Sequence, residues 1–455
     1  MKNLEKQFPI NHYLAISFLL SGILFASFSE AKETPPNVVL MLIDNVGYGD
    51  IACYGNPIIR TPNIDRLASQ GVRCTDFYIV TSSCTPSRGS LLTGRYPLRN
   101  GLTRQLGVEA NRTGIGLPQN ETIFPRFLKE AGYTSACFGK WNLGFAEGSR
   151  PIQRGFDEFF GCRSGNIDYY THVYNGEEDM WRGNEPVELE GYSSDLFADA
   201  TCEFIRRKKE GPFFAFVPFN APHLPNPRNK ANGVGDHWQA PAKYFEMYGY
   251  EPDSKDDFEG YHAVMTAVDA AIGRIIKQVD ESGITDNSIL MVMSDNGAAA
   301  NPDWVPNEKG VNTPFRGGRT NVYEGGIRTA FIVRWPGRIN AGSVCHEMIA
   351  NIDVLPTVLR AAGLEIPSTP IIDGRDIAAT LAGEAPSPHE MLFFDYQKTS
   401  GARKGHWKIV RPDPKSPFEL YDLYKDPGEA NNVAKENHKL QEGMVEKFNE
   451  WRQQF

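Results

Sequence analysis

The stretch Val38-Val39-Leu40-Met41-Leu42-Ile43-Asp44-Asn45-Val46-Gly47-Tyr48-Gly49-Asp50 sets an unbroken apolar run against a polar, glycine-rich cluster. An apolar run without alternation reads as a strand buried on both faces. The same succession recurs. Tyr133 to Phe138 runs into Gly139-Lys140-Trp141-Asn142-Leu143-Gly144, Phe213 to Phe219 into Asn220-Ala221-Pro222-His223, and Ser288 to Met293 into Ser294-Asp295-Asn296-Gly297. Thr329 to Arg334 is a further strand, running into Trp335-Pro336-Gly337. Helical patterns lie between: 61–67, opened by Thr61-Pro62 and closed near Gly71; 122–130, stopped at Gly132; and 261–282. Strands alternating with helices predict an α/β fold on a mixed, mostly parallel sheet flanked by helices.

In such sheets ligands bind beyond the carboxyl ends of the strands. Asp44, Lys140, His223 and Asp295 each follow an apolar strand directly, so the fold can gather them at one rim. A single strand-ending Asp is often only a turn residue; the weight rests on the set.

A second stretch is Ser82-Ser83-Cys84-Thr85-Pro86-Ser87-Arg88-Gly89-Ser90-Leu91-Leu92-Thr93-Gly94-Arg95. Pro86 suits the first turn of a helix and Gly94 its end. Cys84 then sits at a helix N-terminus among free N–H groups, with Arg88 one turn on. A thiol-derived group, N–H donors and a guanidinium make a site for an oxyanion; a lone Cys-x-Pro would read as a buried Cys before an ordinary helix. Asp44, Asn45, Asp295 and Asn296 offer hard oxygens, which suit Ca2+ or Mg2+ rather than Zn2+. Arg88 and Lys140 can neutralise an anion, and His223 can protonate a leaving oxygen.

The Cys84-Thr85-Pro86-Ser87-Arg88 motif resembles the signature of the type I sulfatases, in which Cys-x-Pro-Ser-Arg is recognised and the Cys oxidised to formylglycine. Pro36 to Asp44, Thr61 to Ala68, Ala131 to Trp141, Ser294 to Gly297, Tyr323 to Arg328, Asp353 to Thr357 and Glu419 to Leu423 look like further sulfatase blocks, so the resemblance covers nearly the whole mature chain. It implies an alkaline-phosphatase-like fold with a smaller C-terminal α+β domain. It implies formylglycine (3-oxoalanine) at Cys84, hydrated to attack sulfur, made by a formylglycine-generating enzyme. It also implies Ca2+ in preference to Mg2+, held by Asp44, Asn45, Asp295, Asn296 and residue 84. Arg88, Lys140, Asn142, His223 and Arg319 then stand at the family's catalytic positions.

Three of these positions depart from the family pattern. Asn45 replaces the second Asp, which removes a negative charge and predicts weaker calcium binding. Asn142 stands for His and cannot take a proton. Arg319 stands for Lys and changes geometry while keeping charge. The departures fit either retuning to another substrate or reduced activity. Asn166-Ile167-Asp168-Tyr169-Tyr170-Thr171-His172 is similar to a region of arylsulfatase B-type enzymes, which act on sulfated amino sugars. Asp168 and His172 are therefore substrate-binding candidates; the same residue types equally suit a packed loop. The implied substrate is a sulfated carbohydrate or an aryl sulfate.

The remaining composition sets bounds. A chain of 455 residues allows one large α/β domain and an appendage. Its net charge of −9 disfavours a nucleic-acid surface, so attraction for an anion must be local. Lys2 and Lys6, the apolar 13–28 segment and Ser29-Glu30-Ala31 read as a signal peptide over 1–31, with no stable membrane span and a periplasmic or secreted location. Seven cysteines lack zinc spacing, and six remain for pairing once Cys84 is set aside. Asn111-Arg112-Thr113 and Asn120-Glu121-Thr122 fit glycosylation sequons. Residues 32–385 are expected to form the catalytic domain. The segment 386–455, with short strands near 391–396, 406–410 and 418–423 and a helix over 433–454, reads as the smaller one. Two rival functions share the fold: a phosphate or phosphonate ester hydrolase, and a catalytically silent protein that binds sulfated glycans.

Overall fold

The computed structural model describes residues 34–107, 110, 113–225, 237–252, 254–299 and 309–455. The expected signal peptide, the sequon at Asn111 and the loop residue Trp304 lie outside them. Pro35–Phe455 form one compact unit.

The first half supplies strands β1 (Asn37–Ile43), β2 (Val72–Tyr78), β3 (Thr134–Phe138), β4 (Glu158–Gly161) and β5 (Phe213–Pro218). Strands β6 (Ser288–Ser294) and β7 (Arg328–Arg334) follow. The main helices are α1 (Pro62–Gln70), α2 (Cys84–Thr93), α3 (Ser193–Lys208) and α4 (Asp257–Glu281). In the sheet the order is β2-β7-β6-β1-β5-β3-β4. The five strands from β6 to β4 are parallel. β1 is buried on both faces as its apolar run requires: Val39, Met41 and Ile43 join one core, Val38, Leu40 and Leu42 the other. α4, α3 and α1 cover the first face through residues such as Val268, Phe197 and Leu67. α2 and the helix Val354–Ala361 cover the second.

One expectation needs correction. β7 runs antiparallel to β6, so its start, not its end, lies at the carboxyl rim. An apolar run carries no sign of direction, and pairing alone decides it. β2 is antiparallel to β7 in turn, which restores it to the direction of β6. The loop leaving β2 therefore delivers the N-terminus of α2 to the same rim. α2 is buried along its whole length and ends at Gly94 in a left-handed conformation (φ 65°).

The C-terminal segment forms a four-stranded antiparallel sheet: β8 (Leu392–Tyr396), β9 (Thr399–Lys404), β10 (Trp407–Arg411) and β11 (Glu419–Asp422). Helix α5 (His438–Arg452) closes the chain, starting later than its sequence pattern suggests. Phe394, Ile409, Leu420 and Phe448 pack with Tyr78, Val80 and Ile327 in one apolar cluster. All seven cysteines are free thiols.

Candidate active site

Asp44 and Asn45 leave β1, Asp295 and Asn296 leave β6, Lys140 and Asn142 follow β3, and His223 follows β5. Cys84 and Arg88 come from the first turns of α2, and Arg319 precedes β7. The Cys84 thiol donates to Asp44 Oδ1 at 3.2 Å and lies 3.5 Å from Asn45 Oδ1. Arg88 donates from Nε to Asp295 Oδ2 at 2.9 Å and from Nη1 to the Lys140 carbonyl at 2.8 Å. Lys140 Nζ pairs with Asp44 Oδ2. The Asn45 N–H donates to Asp295 Oδ1 at 3.1 Å, locking the two strand ends together. Asn45 holds φ 63°, a left-handed turn that Asn tolerates. His223 Nε2 lies 3.4 Å from Arg319 Nη1, and its Nδ1 lies 2.8 Å from the Leu224 carbonyl, which fixes the proton on Nδ1.

Asp44, Asp295, Arg88 and Lys140 are fully buried, so their pairing decides their state. Burial raises the Asp44 carboxyl, but Lys140 and Arg88 outweigh it and hold it below its ordinary value. Asp295 is raised by burial and by Asp44, against the pull of Arg88. Burial, Asp295 and Asp44 push the Cys84 thiol up to about 12. As a free thiol it stays protonated at neutral pH and is a poor nucleophile. Burial, then Lys140 and Arg319, lower His223 well below its ordinary value.

The donor set fits a hard cation. Ligand atoms of Asp44, Cys84 and Asp295 lie within 4.8 Å of one another. Asn296 donates from Nδ2 to Asn45 Oδ1 at 2.7 Å, while its own Oδ1 is buried without a hydrogen-bond partner. Such an oxygen, among carboxylates and carbonyls, suits Ca2+. Both side-chain polar atoms of Asn142 are likewise buried and unpartnered. Asn142 Nδ2 and Lys140 Nζ both border Gly165, so the amide stands beside the ammonium.

The structure does not bring Asp168 and His172 into this group. Asp168 Oδ1 caps its own turn, accepting from the Tyr170 and Thr171 N–H groups at 3.0 and 2.8 Å. His172 is buried, with Nε2 3.1 Å from the Gly191 carbonyl. Asp168 Oδ2 is buried without a hydrogen-bond partner, and His172 lines a separate cavity with Tyr170 and Gly191. Trp238 is structural: it is buried and donates to the Pro222 carbonyl at 2.7 Å.

Sequence reasoning missed two supports. Gln105 Oε1 accepts from Ser83 Oγ and the Thr85 N–H at 3.1 and 3.0 Å, pinning the start of α2. Asp50 ties Gly47, Tyr261 and Val311 together behind the Asp44 loop. Asp50 stood in a quoted motif without a role; Gln105 has no sequence signal.

Comparison with known proteins gives the family. The family model described as Sulfatase matches residues 36–364, and that described as N-sulphoglucosamine sulphohydrolase, C-terminal, matches residues 318–454. The chain is 33% identical over 395 residues to the N-acetylgalactosamine-6-sulfatase of Canis lupus familiaris, covering 82% of this chain and 71% of that protein. It is 30% identical over 460 residues to arylsulfatase A of Homo sapiens, covering 89% and 84%. The crystal structure of Ps i-CgsB in complex with k-i-k-neocarrahexaose has a TM-score of 0.82 at 26% identity, covering 92% of this chain and 93% of that one.

Proposed function

The chain belongs to the sulfatase family, type I sulfatases of the alkaline phosphatase superfamily, and from that premise we propose that it removes sulfate from a sulfated carbohydrate at Cys84, matured to formylglycine beside a bound calcium ion. Its relatives are sulfuric ester hydrolases. The observation that carries the reading is the buried thiol of Cys84 at a helix N-terminus, 3.2 Å from Asp44 and ringed by Arg88, Lys140 and Arg319. A carbohydrate substrate is supported by a relative named for N-acetylgalactosamine 6-sulfate and by the oligosaccharide in the Ps i-CgsB complex.

Asp44, Asn45, Asp295 and Asn296 would hold the calcium ion. When present, formylglycine supplies a hydrated aldehyde oxygen as nucleophile and calcium a fixed double charge beside the sulfate. The chain's own residues do the rest. Arg88 fixes Asp295 and the Lys140 carbonyl in place, so both sides of the site are set before substrate arrives. Lys140 and Arg319 receive the sulfate oxygens. Burial, and then their positive field, keep His223 neutral in the free site. A bound sulfate offsets the Lys140 and Arg319 charges and so favours a proton at Nε2, the nitrogen facing Arg319, from which it can be passed to the leaving oxygen. Asn142 offers hydrogen bonds beside Lys140 but no proton acceptor. Maturation by a formylglycine-generating enzyme, export through residues 1–31, and division into 32–385 and 386–455 belong to the same proposal. Among the described residues no helix is long and apolar enough to cross a membrane.

Parallel release of sulfate and phosphate from the 4-nitrophenyl esters tests the reaction. Sulfate release that disappears in Cys84→Ala is expected. Faster phosphate release would favour the phosphoester hydrolase, and binding of sulfated glycan without turnover the silent protein.

A further inference from the structure

Beside the rim, between the loops that leave β3 and β4, lies a cavity of about 570 Å3. A cavity of this size suits one or two sugar rings. It begins next to the candidate active site. The Asn142 N–H donates to the Arg163 carbonyl at 3.1 Å. Ser164 lines the cavity, and its neighbour Gly165 borders Lys140 Nζ.

Two arginines line this space. Arg163 is 4% exposed, lies over the Trp181 ring at 3.3 Å, and donates from Nη2 to the Asn184 carbonyl at 3.2 Å. Its Nε is buried without a partner. Arg150 is half-buried and donates from Nε to the Phe145 carbonyl at 3.2 Å. Among the described residues neither forms an ion pair, so the two neighbouring cations lack counter-charges in direct contact, and Asp179 and Glu185 act on Arg163 from farther off. The acidic groups of the cavity do not supply them. Asp179 is spent on the Arg163 and Ser164 N–H groups and on Trp181 Nε1. Glu177 and Glu178 stand exposed on a hairpin, where water and salt screen them. Burial, then the nearby Arg150, push the Arg163 guanidinium down to about 10 against the pull of Asp179 and Glu185. A buried cation in this state is stabilised by an anion.

We infer that Arg150, Arg163 and Trp181 form a second subsite, which takes the anionic group and ring of the sugar unit adjoining the sulfated one. The inference rests on the sulfatase reading and makes the substrate a polyanionic glycan rather than a lone sulfated sugar. The anion is a carboxylate or a sulfate. The guanidinium edges bind either, and the sugar ring packs at the aromatic wall.

The test uses the full chain carrying Cys84→Ala, so that ligands are bound and not consumed, with calorimetric affinities for chondroitin 6-sulfate and ι-carrageenan tetrasaccharides. The first has a carboxylate neighbour, the second a sulfate. Each is compared with its sulfated monosaccharide. At least one tetrasaccharide is expected to bind about tenfold more tightly than its monosaccharide, and Arg150→Ala to abolish that advantage, as loss of a charged hydrogen bond implies. Arg163→Lys, which keeps the charge but loses the fork, is expected to lose part of it. The tetrasaccharide that gains identifies the anion. An affinity ratio unchanged in Arg150→Ala overturns the inference, as does the absence of any tetrasaccharide advantage. If the chain with Cys84 intact still releases sulfate from 4-nitrophenyl sulfate, the sulfatase reading survives that failure. A chain inert there and blind to every sulfated ligand loses both.

Discussion

Two buried charge clusters in this protein look alike in composition and differ in completeness. One joins the C-terminal sheet to the main one. Lys408 pairs with Glu324 and Glu429 at 2.8 Å each. Arg328 pairs with Glu324 and Asp76 at 3.1 and 2.7 Å, and Arg403 with Asp76 at 2.6 Å. Tyr78 donates to Glu324 at 2.6 Å. Its cations Lys408, Arg328 and Arg403 are matched by Glu324, Glu429 and Asp76. The other cluster is the rim. There, among the described residues, Arg88, Lys140 and Arg319 stand with Asp44 and Asp295, and the amide atoms of Asn142 and Asn296 Oδ1 are buried without a hydrogen-bond partner. A closed network holds layers together; an open one is a site waiting for charge.

Breaking the closed cluster has the largest expected effect. Lys408→Met leaves Glu429 buried without its cation and Glu324 with Arg328 alone, and is expected to cost about 3–5 kcal/mol in urea unfolding. A loss below about 1 kcal/mol would show that the cluster does not secure the C-terminal sheet. The open cluster is expected to respond to calcium instead. At a hundred times its dissociation constant the ion stabilises the native chain by about 2.7 kcal/mol. Thermal melting of Asp295→Asn is expected to lose that shift, and melting of Lys408→Met to keep it; the opposite pattern would erase the distinction.

The closed cluster also carries a pH signature. Burial, against the pull of Lys408, lifts Glu429 from 4.5 to about 7. The folded chain then binds more protons than the unfolded one between those values. The contribution of Glu429 is therefore full below about pH 4.5 and lost as pH rises through about 7. Glu429→Gln is expected to flatten this fall by about 2 kcal/mol, measured by denaturant midpoints across the window. An unchanged slope would assign the fall to other groups. The smallest effect concerns Asn45. Asn45→Asp restores a carboxylate and is expected to tighten calcium binding about tenfold by calorimetry, roughly 1.4 kcal/mol. Unchanged affinity would show that the Asn45 carbonyl already serves as well.

The sequence made the rim legible because each rim residue follows a strand with its own signature. β1 announces itself by apolar residues on both faces, and Asp44 is wherever β1 ends. The same logic fails at Arg319, which reaches the rim from the start of an antiparallel strand. β9 was hidden because Thr-Ser-Gly-Ala-Arg-Lys has no apolar pattern; pairing with β8 and β10 makes it a strand. Helix α3 was hidden by polar residues scattered through its apolar stripe. Asp168 Oδ1 and His172 Nε2 bond a turn and a neighbouring carbonyl, which only coordinates reveal. The Lys408, Glu324 and Glu429 cluster and the Arg163 and Trp181 stack depend on contacts that no local pattern encodes.

The central claim is that Cys84 is matured, and the mass of the tryptic peptide Cys74–Arg88 from protein made in its native host tests it most directly. The account predicts a peptide carrying an aldehyde in place of the thiol at position 84. An unmodified thiol in that peptide would contradict it, because burial and the neighbouring carboxylates favour the protonated thiol, a poor nucleophile.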